Sequence, residues 1–134
     1  MTSGSSGRAL ALLLLLLSSC APAVVTEREI IRCSVGPEKL PQVERLAAKG
    51  FARAGLCAGK LLIKEGKYPE ARRFLLKAHE KLTGRKKGEV AYLIGLTFLK
   101  EGKRKEAREW FWRATEEGYP NQEFFNLTDY LSLK

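Results

Sequence analysis

The side chains best suited to chemistry in this 134-residue chain are three cysteines and one histidine: Cys20, Cys33, Cys57 and His79. An odd cysteine count in an exported protein leaves one thiol over. Cys33 and Cys57 stand 24 residues apart, which fits neither a C-x-x-C redox pair nor zinc-ligand spacing, and His79 has no second histidine to join it. His79 therefore reads as a surface or half-buried packing residue. Among the carboxylates, Glu65 with Glu70 recurs as Glu101 with Glu106. Such recurrence describes solvated helix ends rather than an acid/base pair. No nucleophile elbow and no phosphate-cradling glycine loop can be found. The expectation is a non-enzymatic protein without cofactor, metal or small-molecule substrate, whose chemistry is binding.

Cys20 has its own context. Arg8 precedes the apolar run Ala9–Leu17, nine residues that match a secretory core and fall short of the roughly 20 needed to span a bilayer. The run leads into L-S-S-C, Leu17 to Cys20, an aliphatic residue and two small ones before the cysteine. This resembles the lipobox of bacterial lipoproteins. The resemblance implies that residues 1–19 are a signal peptide, and that Cys20 becomes the acylated first residue, carrying lipid chains such as palmitate. Ala21 stands where an inner-membrane retention signal usually shows Asp, which implies the outer membrane, facing the periplasm, if the cell has two membranes. Plain export without lipid is the alternative. With Cys20 acylated, an even pair remains, and Cys33 with Cys57 can form a disulfide in an oxidising compartment. Two free buried thiols, or a thiol oxidoreductase pair, are the other readings.

Removing residues 1–19 leaves 115 residues with a net charge of +8, enough for one small domain with a real core. Such a charge favours anionic partners: lipid headgroups, acidic proteins or nucleic acid. Export makes nucleic acid the least favoured, and none is expected as a partner.

Residues 20–36 carry no helical stripe and read as a tether with one extended patch. From Pro37 apolar and small residues recur at spacings of three and four, through Val43, Leu46, Ala47, Ala54, Cys57, Ala58, Leu61 and Leu62. This predicts one long helix over 41–64, or two helices with a break near Gly50. A repeat follows. K-E-G-K-x-x-E-A-R at 64–72 returns at 100–108, an offset of 36 residues, which signals stacked supersecondary units.

The pattern resembles the tetratricopeptide repeat. Ala58, Gly59, Leu62, Gly66, Tyr68, Ala71, Leu75 and Ala78 fill the expected places of one unit. Ile94, Gly95, Phe98, Gly102, Ala107, Phe111 and Ala114 fill those of the next. The usual Trp is replaced by Gly55 or Ala91, the closing Pro is missing, and the linker T-G-R-K-K-G (83–88) makes the first unit two residues too long. The expected fold is all-α: two such repeats over about 52–87 and 88–121, within a helical domain spanning 37–134. Residues 41–51 are expected to cover one end. A capping helix over 121–133, N-capped by Asn121 with Phe124, Leu127 and Leu131 as its stripe, is expected to cover the other.

In that family the first helices of successive units line a concave groove. The matching positions here are Arg53, Leu56, Lys60, Ile63 and Lys64, then Glu89, Tyr92, Leu96, Leu99 and Lys100. An apolar strip edged by lysines suits an acidic or amphipathic peptide segment, unless flanking helices fill the groove. Trp112 shares a face with Lys105, Arg108 and Glu116, where the family is usually polar. It either packs beneath the capping helix or anchors a partner. The resemblances together imply a lipid-anchored envelope protein that binds another envelope protein as an assembly or secretion accessory factor. The alternative is a structural surface lipoprotein holding anionic lipid or cell-wall polymer through its basic faces.

Overall fold

The computed structural model describes residues 23–121. Cys20, the signal peptide and all of the capping helix but Asn121 lie outside the described residues. Among the described residues the chain is all-helical, with six α-helices, one 3-10 turn and no strand.

The segment expected as a tether instead contains α1 (Glu27–Arg32). Thr26 and Glu29 close a capping box: the Thr26 hydroxyl accepts from the Glu29 N–H at 3.2 Å, and the Glu29 carboxylate accepts from the Thr26 N–H at 3.0 Å. Two orphan donors are thereby satisfied in a helix too short to show a stripe. The flanking Val25 and Val35 are buried, and the Val25 N–H donates to Gln42 Oε1 at 3.0 Å. This segment is part of the core.

After the 3-10 turn (Pro37–Lys39) come α2 (Leu40–Ala48) and α3 (Ala52–Lys64), so the stripe over 41–64 is broken at Gly50. The remaining helices are α4 (Tyr68–Lys81), α5 (Gly84–Lys100) and α6 (Arg104–Glu116). α3 and α5 end alike. Gly66 and Gly102 adopt φ of 77° and 78°, and the next residue's N–H reaches back to Leu62 or Phe98, both at 2.9 Å. That is the Schellman stop, which needs a left-handed residue and therefore favours glycine. α2 and α6 close with the same bonds, from Phe51 to Leu46 O and from Tyr119 to Ala114 O.

Close packing explains the small residues. Gly55, near the start of α3, meets Ala78 near the end of α4, while Gly59 meets Leu75, so the two helices run antiparallel. α5 and α6 do the same: Gly88 meets the Ala114 carbonyl, and Gly95 lies under the Phe111 ring. Gly59–Leu75 and Gly95–Phe111 are the same contact 36 residues apart. Between the pairs, the Arg72 guanidinium hydrogen-bonds Glu101 and lies 4.3 Å over the Phe98 ring. That hydrogen bond holds the Glu101 carboxyl below its usual range. His79 is half-buried, 2.9 Å from both Glu117 carboxylate oxygens and edge-on to Trp110 at 5.4 Å.

The expected linker 83–88 also turns out otherwise: α5 starts at Gly84 and takes in the whole G-R-K-K-G run. Lys and Arg are good helix formers, Lys86 pairs with Glu89 one turn on at 2.9 Å, and Gly88 seats that turn against Tyr119.

Asn121 is buried, and its amide donates to Phe111 O at 3.0 Å, Thr115 Oγ1 at 3.3 Å and Tyr119 O at 3.4 Å. These bonds fasten the chain to the last turns of α6. Asn121→Ala is expected to lose about 1–2 kcal/mol in urea unfolding, since three oxygens lose the amide donor and the Phe111 carbonyl keeps only the Thr115 hydroxyl, at 3.2 Å, as a side-chain donor. Asn121→Asp should be worse, placing a carboxylate against three oxygens. A neutral Asn121→Asp would show that the amide donors carry no weight.

Candidate partner-binding surfaces

The strip expected on α3 and α5 is largely engaged by the chain itself. Leu56 is buried, and Ile63 is half-buried against the larger core cluster around Leu62 and Leu75. Lys60 Nζ stands 2.8 Å from Glu89 Oε1, bridging α3 to α5. Burial pushes the Glu89 carboxyl up, but the hydrogen bonds and charges of Lys60 and Lys86 outweigh it and hold the group below its usual range. Tyr92 lies 5.6 Å from the Phe111 ring and 5.3 Å from Tyr119. Leu96 and Leu99 are half-buried against Ala107 and Phe111. Lys64 and Lys100 are exposed at the helix ends, and Arg53 sits near α1 on the rim of a depression. Trp112 is 47% exposed on α6, on a different helix from the strip.

The Cys33 and Cys57 sulfurs are at bonding distance, 2.11 Å, with the Cα atoms 5.2 Å apart. The bond fixes the end of α1 to the middle of α3. Among the described residues no group of three or more His, Cys, Asp or Glu side chains is placed to hold a metal ion, and no helix is long and apolar enough to cross a membrane.

A second surface escaped sequence reasoning. A groove of about 700 Å³ opens between α2 and α4 over the start of α3. Its floor is small and apolar, Ala47, Ala52, Gly55 and Ala78, with Ala48 exposed at its edge. Beneath it α3 and α4 meet closely: a Cβ on Gly55 would lie 3.2 Å from both the Ala78 methyl and the Phe74 carbonyl. Phe51 and Phe74 flank the floor, while Arg45, Arg73, Lys77 and Lys81 stand on the walls against two acids, Glu44 and Glu80. The Lys81 ammonium also donates to Gly50 O at 3.1 Å, tying α4 to the α2–α3 turn. The signal for this surface is present in the sequence: Arg73, Lys77 and Lys81 recur every four residues, one cationic row along α4, facing the small-residue run A-A-K-G-F-A-R-A-G (47–55). An apolar trough with a positive rim can bury the apolar face of an amphipathic segment while pairing its acids.

Compared with known proteins, the chain matches no family model, no curated protein and no solved structure, so the reading of its function stands on these surfaces alone.

Proposed function

We propose that the protein is a non-enzymatic envelope adaptor. It is exported and acylated at Cys20, stands on the outer membrane facing the periplasm where the cell has two membranes, and binds another envelope protein. The scaffold on this reading is two tetratricopeptide-like units with an N-terminal helical extension. What supports that description is the 36-residue recurrence of Gly59–Leu75 as Gly95–Phe111 and of the turn at Gly66 as that at Gly102. Such units bury their faces against neighbours and leave grooves between helices for partners.

The observation that carries the function is the α2–α4 groove: apolar in its floor, cationic in its walls, and about 700 Å³ in volume. It accepts an acidic amphipathic helix or strand of the partner, with two or three apolar side chains on the alanine floor and carboxylates against Arg73 and Lys77. This replaces the α3–α5 strip as the principal site, because the apolar members of that strip already serve the core.

A photo-crosslinking residue at Ala48, used in cells, tests the groove. The expected product is a single envelope protein joined through an acidic segment. Its yield should fall about tenfold or more in Arg73→Glu/Lys77→Glu, as expected for like charges placed against a partner's acids. Lys64→Glu/Lys100→Glu should leave it unchanged. The reverse sensitivity would move the site to the strip. Crosslinks to lipid or cell-wall polymer alone would instead support the surface-lipoprotein reading.

A further inference from the structure

The covalent distance from Cys20 to the folded domain is short. Four residues lie between Cys20 and Val25, which is buried and held by Gln42. Fully extended, those five Cα–Cα steps span about 17 Å. A domain of roughly 100 residues has a radius of gyration near 13 Å, hence a width of roughly 30–35 Å. The leash therefore reaches about half-way across the domain and cannot bring the opposite side to the point of attachment. The side that carries α1, where Val25 lies, is the one that a surface holding Cys20 meets with the least of the leash drawn out.

That side is apolar and basic. Val24 is 83% exposed, Ile31 51% and Phe51 60%, three of the largest apolar exposures among the described residues. Ile31 and Phe51 line a depression of about 480 Å³ together with Val25, Ile30, Leu46 and Arg53, and Val24 adjoins Val25 in the chain. α1 turns Ile30 inward to the core, while Arg28, Ile31 and Arg32, spaced by three and one, share its outer face. Of the acids nearby, Glu29 is occupied by its capping bonds and by Lys39 at 3.6 Å, which leaves Glu27 on the rim.

We infer that the face formed by Val24, Arg28, Ile31, Arg32 and Phe51 rests on the bilayer that holds the acylated Cys20. Its apolar side chains reach the acyl–headgroup boundary and its guanidiniums meet lipid phosphate. The inference rests on the lipid-anchor reading above. The apposition orients the molecule: Phe51 stands between this face and the α2–α4 groove, so the groove opens beside the membrane surface and offers its partner a membrane-proximal seat.

The test uses the protein purified from the membranes of cells that export it, placed in vesicles of phosphatidylethanolamine and phosphatidylglycerol whose acyl chains carry bromine, a quencher of indole fluorescence. Ile31→Trp and Val24→Trp each place an indole on the face. Leu76→Trp places one on α4, which α3 separates from α1 in the stack. After subtracting the wild-type signal of Trp110 and Trp112, both face variants should be quenched about threefold or more beyond Leu76→Trp, given burial of such faces by about 5–10 Å. The mass of the N-terminal peptide is read on the same samples. Acylated Cys20 with equal quenching at all three positions, or stronger quenching at Leu76→Trp, overturns the apposition and leaves the anchor standing. A Cys20 peptide without diacylglycerol overturns the anchor, and the apposition with it.

Discussion

Phe111→Ala is expected to remove about 3–5 kcal/mol of folding stability, out of the roughly 5–15 kcal/mol typical of a domain. The ring is fully buried and seated on Gly95. The cavity it leaves is hard to fill, because Gly95 offers no side chain and Tyr92 is held between Phe111 and Tyr119. A double-mutant cycle with Gly95→Ala makes the claim sharper. In the native background, a methyl on Gly95 would overlap the ring, costing about 1–3 kcal/mol, partly offset by about 1 kcal/mol of helix propensity. With Phe111→Ala the overlap disappears and only the propensity gain remains. Gly95→Ala should therefore change sign, from destabilising to stabilising by about 1 kcal/mol. Urea unfolding of the four proteins, followed by circular dichroism, reads both effects. A Gly95→Ala that behaves the same in both backgrounds would mean that the ring does not rest on that glycine.

The same contact shows why so much of the fold was legible. Gly59, Leu75, Gly95 and Phe111 are local enough in sequence, and regular enough in period, for the repeat to expose which faces touch. The helix stops at Gly66 and Gly102 are equally visible, since a left-handed turn leaves few choices of residue. The helix α1 was not visible. Six residues cannot display a 3.6-residue period, and its order comes from a capping box and a long-range bond at Cys33. The run 83–88 misled for a related reason: glycines at both ends suggest a linker, but Gly88 is there to let α5 approach Tyr119. The α2–α4 groove lies further from reach. Half of its message, the cationic row on α4, can be counted in the sequence, but an open volume between α2 and α4 exists only once both have packed against α3. The strip on α3 and α5 was assigned by family position, and nothing in the sequence says that Lys60 and Glu89 spend their charges on each other.

The second large effect is expected at Cys33 and Cys57. Opening a bond between residues 24 apart should lose about 3–4 kcal/mol in the chain-entropy account. The loss falls unevenly. α1 has only six residues, below the length at which a helix holds itself in water, so the bond and the burial of Val25 and Val35 keep it in place. Its ending adds a second consequence. Ser34 reaches back to Glu29 O at 3.0 Å and Cys33 to Ile30 O at 3.1 Å, the stop that α2, α3, α5 and α6 build around glycine. Here the left-handed residue is Cys33, at φ 50° and ψ 44°, where a side chain costs about 1–2 kcal/mol. The cross-link thus overrides a local preference. Two variants separate the contributions. Cys33→Ser/Cys57→Ala removes the bond and keeps a side chain in the glycine slot. Cys33→Gly/Cys57→Ala removes the bond and frees the slot, and should recover about 1 kcal/mol of the loss, less the chain entropy that glycine adds when unfolded. Chemical denaturation measures both, and trypsin cleavage after Arg28 and Arg32 reads the release of α1 directly. Early cleavage there, with α3–α6 still protected, is the expected pattern. If the two variants unfold together and cleavage is uniform along the chain, α1 has no separate hold on the domain. On the lipid-anchor reading proposed above, release of α1 would lengthen the span from Cys20 from five Cα–Cα steps to about twenty, reaching to α2, and the domain would no longer be held with its α1 side toward the bilayer.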